Sequence, residues 1–390
     1  MSDSIGITHT QHAQLDLGGE PFRFTSGETL DEISLAYEAY GELNADRSNA
    51  VLLFHALSGT HHAAGFTDHV DGTDDRWTAE LHAGWWDSFI GPGRALDTNH
   101  FHVICVNLLG GCYGSTGPAS IDPNTGKPYG ATFPEVSVND VVRSQALLLD
   151  QLGIEKLHAA IGPSVGGLCA LTFANLFPER VQCVVPIASG FRTTVLNRLI
   201  LFEQVLAIEN DPHFAGGAYY DGPPPTYGLA LARMISHKTF VHLDAIERRA
   251  RKNVDQPEGR LAWYKIHDKV ESYILHQGTK FVERFDANTY LRICQMWSRY
   301  NACAEASIDD PVELFAGSRE HGHRFLVFSI DSDFCFYPEE QSELAAHLKD
   351  ADVSNIHITV HSDKGHDSFL LEPELYTPHL DHLLKGNGFS

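Results

Sequence analysis

The segment 157–177, LHAAIGPSVGGLCALTFANLF, restricts the fold more than any other part of the chain. Residues 157–161 form a short apolar run of the kind buried in a sheet, and residues 165–177 carry helical spacing that Pro178 stops. Between them lies Gly162-Pro163-Ser164-Val165-Gly166, a GxSxG sequence. A strand that turns into a helix this abruptly brings backbone segments too close for side chains, so glycines flank the serine. The helix amino terminus then directs free N–H groups at the turn and favours negative charge developing there.

The surrounding pattern predicts strands at Ala50–Leu57, Phe101–Leu109, Val181–Ala188, Phe325–Ile330 and Ile356–Val360. Ser137 with Asp140 makes a capping box ahead of the helical VVRSQALLLDQL, and Gly153 sits where a carboxyl-terminal cap belongs. Further helices are expected over 338–350 and near 373–385. Strands alternating with helices imply an α/β class, with a mostly parallel sheet covered on both faces. From 191 to 317 the pattern changes to helical periodicity with many aromatics, a DGPPPTYG patch and no clear strand. The expected division is therefore a core of residues 1–190 and 318–390, with 191–317 as an inserted helical lid over the carboxyl edge of the sheet.

A serine hydroxyl needs a base, and the base needs an acid to orient it. His366, in the polar loop DKGHDSF after the last strand, is the candidate base. Asp331 and Asp333 both end the strand FLVFSI; Asp331 suits a turn cap, which leaves Asp333 as the acid. The order Ser164, Asp333, His366 is that of α/β-hydrolases. An oxyanion would need two N–H donors, for which Val165 and Leu57 of HALSG are the candidates. His55 in the same loop suits a buried structural role.

Composition narrows the partners. Lys+Arg 28 against Asp+Glu 51 leaves a net charge of −23, whose field repels nucleic acid and anionic membrane. No apolar run reaches the length of a membrane span, and the first twenty residues predict no signal peptide. Seven scattered cysteines without a CxxC predict reduced, core-filling thiols in a cytoplasmic protein. His55, His61, His62 and His69 invite a metallohydrolase reading, but no HExxH is present and no metal is expected.

Several stretches closely resemble the homoserine O-acetyltransferases of the α/β-hydrolase fold. They include GWWDSFIGPGRALDT (84–98), NLLGGCYGSTGPASIDPNTGKPYG (107–130), GLALARMISH (228–237), VESYILHQGTKFVERFDANTY (270–290) and GHDSFLLE (365–372). The likeness spans roughly 35–375. It implies that Ser164 is the nucleophile, Asp333 the triad acid and His366 the base. It further implies that Arg233 and Asp367 bind the amino-acid substrate, a guanidinium clamping the α-carboxylate and a carboxylate the α-ammonium. The implied reaction moves the acetyl group of acetyl-CoA to L-homoserine by a ping-pong route in methionine biosynthesis, with no permanently bound cofactor and commonly as a homodimer. Alternatives within the same triad are serine or homoserine O-succinyltransferase, and an esterase or lactonase. The chain departs from the family where Pro163 and Val165 flank the serine, since the family elbow usually reads GGSMGG. Arg198 could meet a succinyl carboxylate, although a solvated helix charge suits it better.

Overall fold

Strands buried on both faces carry runs of apolar residues without alternation, and the central strands here follow that rule. The computed structural model describes residues 4–250, 253–258 and 261–386. Its main strands are β1 (Gln11–Gln14), β2 (Ser34–Tyr40), β3 (Ala50–Leu53), β4 (His102–Val106), β5 (Leu157–Pro163), β6 (Val181–Ile187), β7 (Arg324–Ile330) and β8 (Ser354–Val360). They form one eight-stranded sheet in the order β1-β2-β4-β3-β5-β6-β7-β8. Strands β3 to β8 run parallel, and β2 pairs antiparallel with both β4 and β1. The expected α/β fold with a mostly parallel sheet is observed.

Successive residues of one strand enter different cores. Leu52, Ala160 and Val184 join one apolar cluster, while Val51, Leu53, Ala159, Ile161 and Val185 join the other. Helices α1 (Val138–Gln151) and α2 (Val165–Leu176) cover the first face. The four longest helices between β6 and β7 are α3 (Val195–Glu209), α4 (Thr226–Phe240), α5 (Lys269–Val282) and α6 (Ala287–Arg299), with α4 packed against both α3 and α5. Helix α7 (Pro338–Asp350) lies between β7 and β8, and α8 (Thr377–Leu384) closes the second face through Leu380, Leu383 and Leu384. The Ser137–Asp140 capping box starts α1, and Gly153 adopts a φ of +68° after it.

The structure corrects three expectations. Residues 253–258 and 266–268 pair as an antiparallel hairpin inside the stretch read as strandless. The strand expected over 50–57 leaves the sheet at Leu53, and the remaining residues form a loop above its carboxyl edge. Strands β1 and β2 were not anticipated: QHAQ is polar, and Glu38 interrupts SLAYEAY. All seven cysteines are free and buried. Among the described residues no helix is long and apolar enough to cross a membrane.

Candidate active site

The β5–α2 turn builds the site. Ser164 takes φ +56° and ψ −126°, a conformation that side chains seldom adopt. Its N–H is held by the Ile187 carbonyl of the neighbouring strand (2.8 Å). Glycine is required on both sides: a Cβ on Gly162 would stand 2.1 Å from the Gly166 carbonyl oxygen, and one on Gly166 2.1 Å from that of Phe54. The result is a serine raised above the sheet at the start of α2, 4% exposed. The backbone N–H groups of Leu57 and Val165 form no hydrogen bond among the described residues.

Asp333 follows β7 and His366 follows β8. The His366 Nδ1–H donates to Asp333 Oδ2 at 2.7 Å. Asp333 Oδ1 accepts the N–H groups of Cys335 (2.7 Å) and Phe336 (3.0 Å), so the carboxylate is fully occupied and buried. The imidazole is packed by Phe336, Phe240 and Phe369, with ring centroids 5.1–5.8 Å away. Trp86, fully buried, donates from its indole to the Phe369 carbonyl and ties down the loop that carries the histidine. His366 Nε2 is buried and has no hydrogen-bond partner; the hydrogen bond to Ser164 is not formed in this structure. Such contacts often close only when substrate is present. Asp331 caps a turn by accepting from Ser362 N–H and from His361.

Ser164, His366, Leu57, Arg233 and Asp367 line one cavity of about 230 Å³. Arg233, on α4, lies over the rings of Phe281 (4.8 Å) and Phe240 (5.2 Å). Its Nε and Nη1 are buried without a partner. Burial, and then repulsion from Arg284, lower its pKa. Burial pushes the Asp367 carboxyl up to about 6, against the attraction of His366 and Arg233. A half-buried carboxyl and an unsatisfied guanidinium in one cavity suit a zwitterion.

Other candidates separate from this cluster. His55 donates from Nδ1 to the Ala56 carbonyl and accepts Leu108 N–H at Nε2, and burial lowers its pKa to about 4. His61 bonds Thr10, His62 faces Glu38, and exposed His69 faces Asp71, so the four histidines do not converge. Among the described residues no group of three His, Cys, Asp or Glu side chains could hold a metal ion. Arg198 is exposed on α3 and does not line the cavity. Sequence reasoning missed Arg284 and Glu80, which do line it. Arg284 lies in the quoted stretch 270–290, whereas Glu80 gave no signal.

Residues 49–373 match the family model described as the alpha/beta hydrolase fold, the class that the sheet order and the serine turn define. Over 380 residues, 96% of this chain and 94% of the relative, the chain is 42% identical to the homoserine O-succinyltransferase of Alkalilimnicola ehrlichii. It is 41% identical to the homoserine O-acetyltransferase of Mesorhizobium japonicum, over 92% of this chain and 89% of that one. The crystal structure of homoserine O-acetyltransferase from Bacillus anthracis superposes with a TM-score of 0.85 at 25% identity, covering 97% of this chain and 98% of that one. Esterase E22 superposes equally well, at TM-score 0.85 and 26% identity over 97% of this chain and all of its own. The chain belongs to the homoserine O-acyltransferases of the α/β-hydrolase fold and is an acyltransferase.

Proposed function

We propose that the protein transfers the acetyl group of acetyl-CoA to the side-chain hydroxyl of L-homoserine, in the cytoplasm and as a step of methionine biosynthesis. One observation carries the amino-acid half of this reading. Arg233 brings partnerless N–H groups into the cavity that also holds Ser164 and the free nitrogen of His366. The acetyl half rests on charge. The only other cationic side chain among the described residues lining the cavity is Arg284, and Glu80 already faces it.

In the first half-reaction His366 Nε2 takes the Ser164 proton and Oγ attacks the thioester carbonyl. The Leu57 and Val165 N–H groups hold the tetrahedral oxyanion, each donor worth about 3 kcal/mol. The C–S bond breaks, and the coenzyme A sulfur leaves with the proton from His366. The homoserine hydroxyl then gives its proton to His366 and attacks the acyl carbonyl; Oγ leaves and is reprotonated. Asp333 fixes the imidazole tautomer throughout. The insert 191–317 acts as a lid that keeps water, the competing acceptor, from the acyl-enzyme. Its helix α3 exposes Val195, Leu199, Phe202 and Leu206 on one face, which supports a homodimer formed through this helix.

Two other readings have observations behind them. Succinyl transfer is the activity named for the Alkalilimnicola ehrlichii relative, and ester hydrolysis is that named for esterase E22. Coenzyme A release, measured across acetyl- and succinyl-CoA with homoserine, serine or neither, separates the three. Release from acetyl-CoA that continues beyond one equivalent of enzyme only with homoserine is expected, and Ser164→Ala should take up no acetyl mass. Continuous release that ignores the amino acid would overturn transfer, and acetylated Ser164→Ala would overturn the nucleophile.

A further inference from the structure

The cavity contains a cation and an anion that the reaction proposed above does not use. Arg284 follows α5 and is 13% exposed. Its Nη1 donates to the carbonyl of Ser58, next to Leu57, at 3.1 Å and to the Tyr113 hydroxyl at 3.2 Å. Its Nε lies 3.7 Å from Glu80 Oε2, while Lys280 pairs with Glu80 Oε1. Glu80 stands on the short turn Ala79–Leu81, 36% exposed, with its side chain on the cavity wall. Arg233 and Arg284 flank the same ring, Phe281, at 4.8 and 5.1 Å.

An acyl group that ends in a carboxylate would place two carboxylates in the cavity once the amino acid joins the acyl-enzyme. Each needs a cation, because burying an unpaired carboxylate costs several kcal/mol. Arg233 supplies one. Arg284 touches the loop that carries Leu57 and is the other, but Glu80 competes for it and repels a second carboxylate. An acetyl group makes no such demand.

We propose that Glu80 sets the acyl group the enzyme accepts: by holding Arg284 it excludes acyl chains with a terminal carboxylate. The inference rests on the acetyl-transfer reading, and one experiment tests both. The ratio of kcat/KM for succinyl-CoA to that for acetyl-CoA, with homoserine, is measured in the full chain and in Glu80→Gln. The ratio is internal to each preparation, so partial loss of folded protein does not move it. Removing the charge should raise the ratio at least ~10-fold, about 1.4 kcal/mol, and adding Arg284→Met to Glu80→Gln should abolish the gain. Glu80→Ala, at a half-exposed position, serves if Glu80→Gln does not fold. An unchanged ratio in a parent that prefers acetyl-CoA overturns the role of Glu80 alone. A parent that prefers succinyl-CoA overturns this inference together with the acetyl reading. Multiple-turnover release from both donors without homoserine overturns transfer itself.

Discussion

The strand-end wall of the cavity and the helical wall facing it treat their polar groups in opposite ways. On the strand-end wall Asp333 has both oxygens occupied and the imidazole is enclosed by three phenyl rings. His366 Nε2, which belongs to a residue lining the cavity, is left without a partner. On the helical wall Arg233 keeps two nitrogens unsatisfied among aromatic rings, and it faces Asp367, which sits beside His366 and carries a pKa raised to about 6. The first wall is organised before substrate arrives. The second is left incomplete, which fits the proposed binding of a zwitterion that would restore what burial removed.

The contrast can be broken most forcefully at Asp333. Asp333→Asn should lower kcat by ~10³–10⁴, because the amide cannot hold the same tautomer. Coenzyme A release would measure it, and a loss under tenfold would mean that the working base has another partner. Arg233→Lys probes the other wall. It keeps the charge but not the planar fork, and should cost about 10²-fold in kcat/KM for homoserine. The rate at which acetyl mass appears on the enzyme should change far less, since acylation precedes the amino acid. Equal losses in both would place Arg233 on the first wall's business.

Asp367→Asn sharpens the comparison most finely. The ionised carboxylate is the form that holds an ammonium, so kcat/KM for homoserine should fall as pH drops through about 6. The amide variant should lose about tenfold at pH 8 and lack that acid dependence. Stability should move the other way. A carboxyl raised from 3.8 to about 6 weakens the fold above pH 6, less so between the two values, and not at all below 3.8. With a discount for partial exposure, the asparagine variant should gain about 1–2 kcal/mol at pH 8 and nothing at pH 3.5. Denaturant titration at the two pH values would decide.

The strand-end wall was largely legible in the sequence, because its chemistry lies in local patterns. A strand, GPSVG and a helix define the serine turn, and aspartate and histidine each follow a readable strand. Arg233 on the helical wall, and Asp367 beside His366, were legible only through a likeness to a family. Glu80 and Arg284 are 204 positions apart, and no spacing rule relates them before the chain folds. Strand β2 escaped notice because Glu38, buried against His62, breaks its apolar run, so a polar interior contact overrode the pattern. The hairpin at 253–258 is as polar as a loop and is defined by pairing alone.

Phe240 belongs to both walls. Its ring stands 5.8 Å from that of His366 and beneath the guanidinium of Arg233. The proposed acceptor recognition and the proposed proton transfer would therefore share a single aromatic support. A substitution at the end of α4 that moved Phe240 would disturb the packing of the imidazole together with that of the guanidinium.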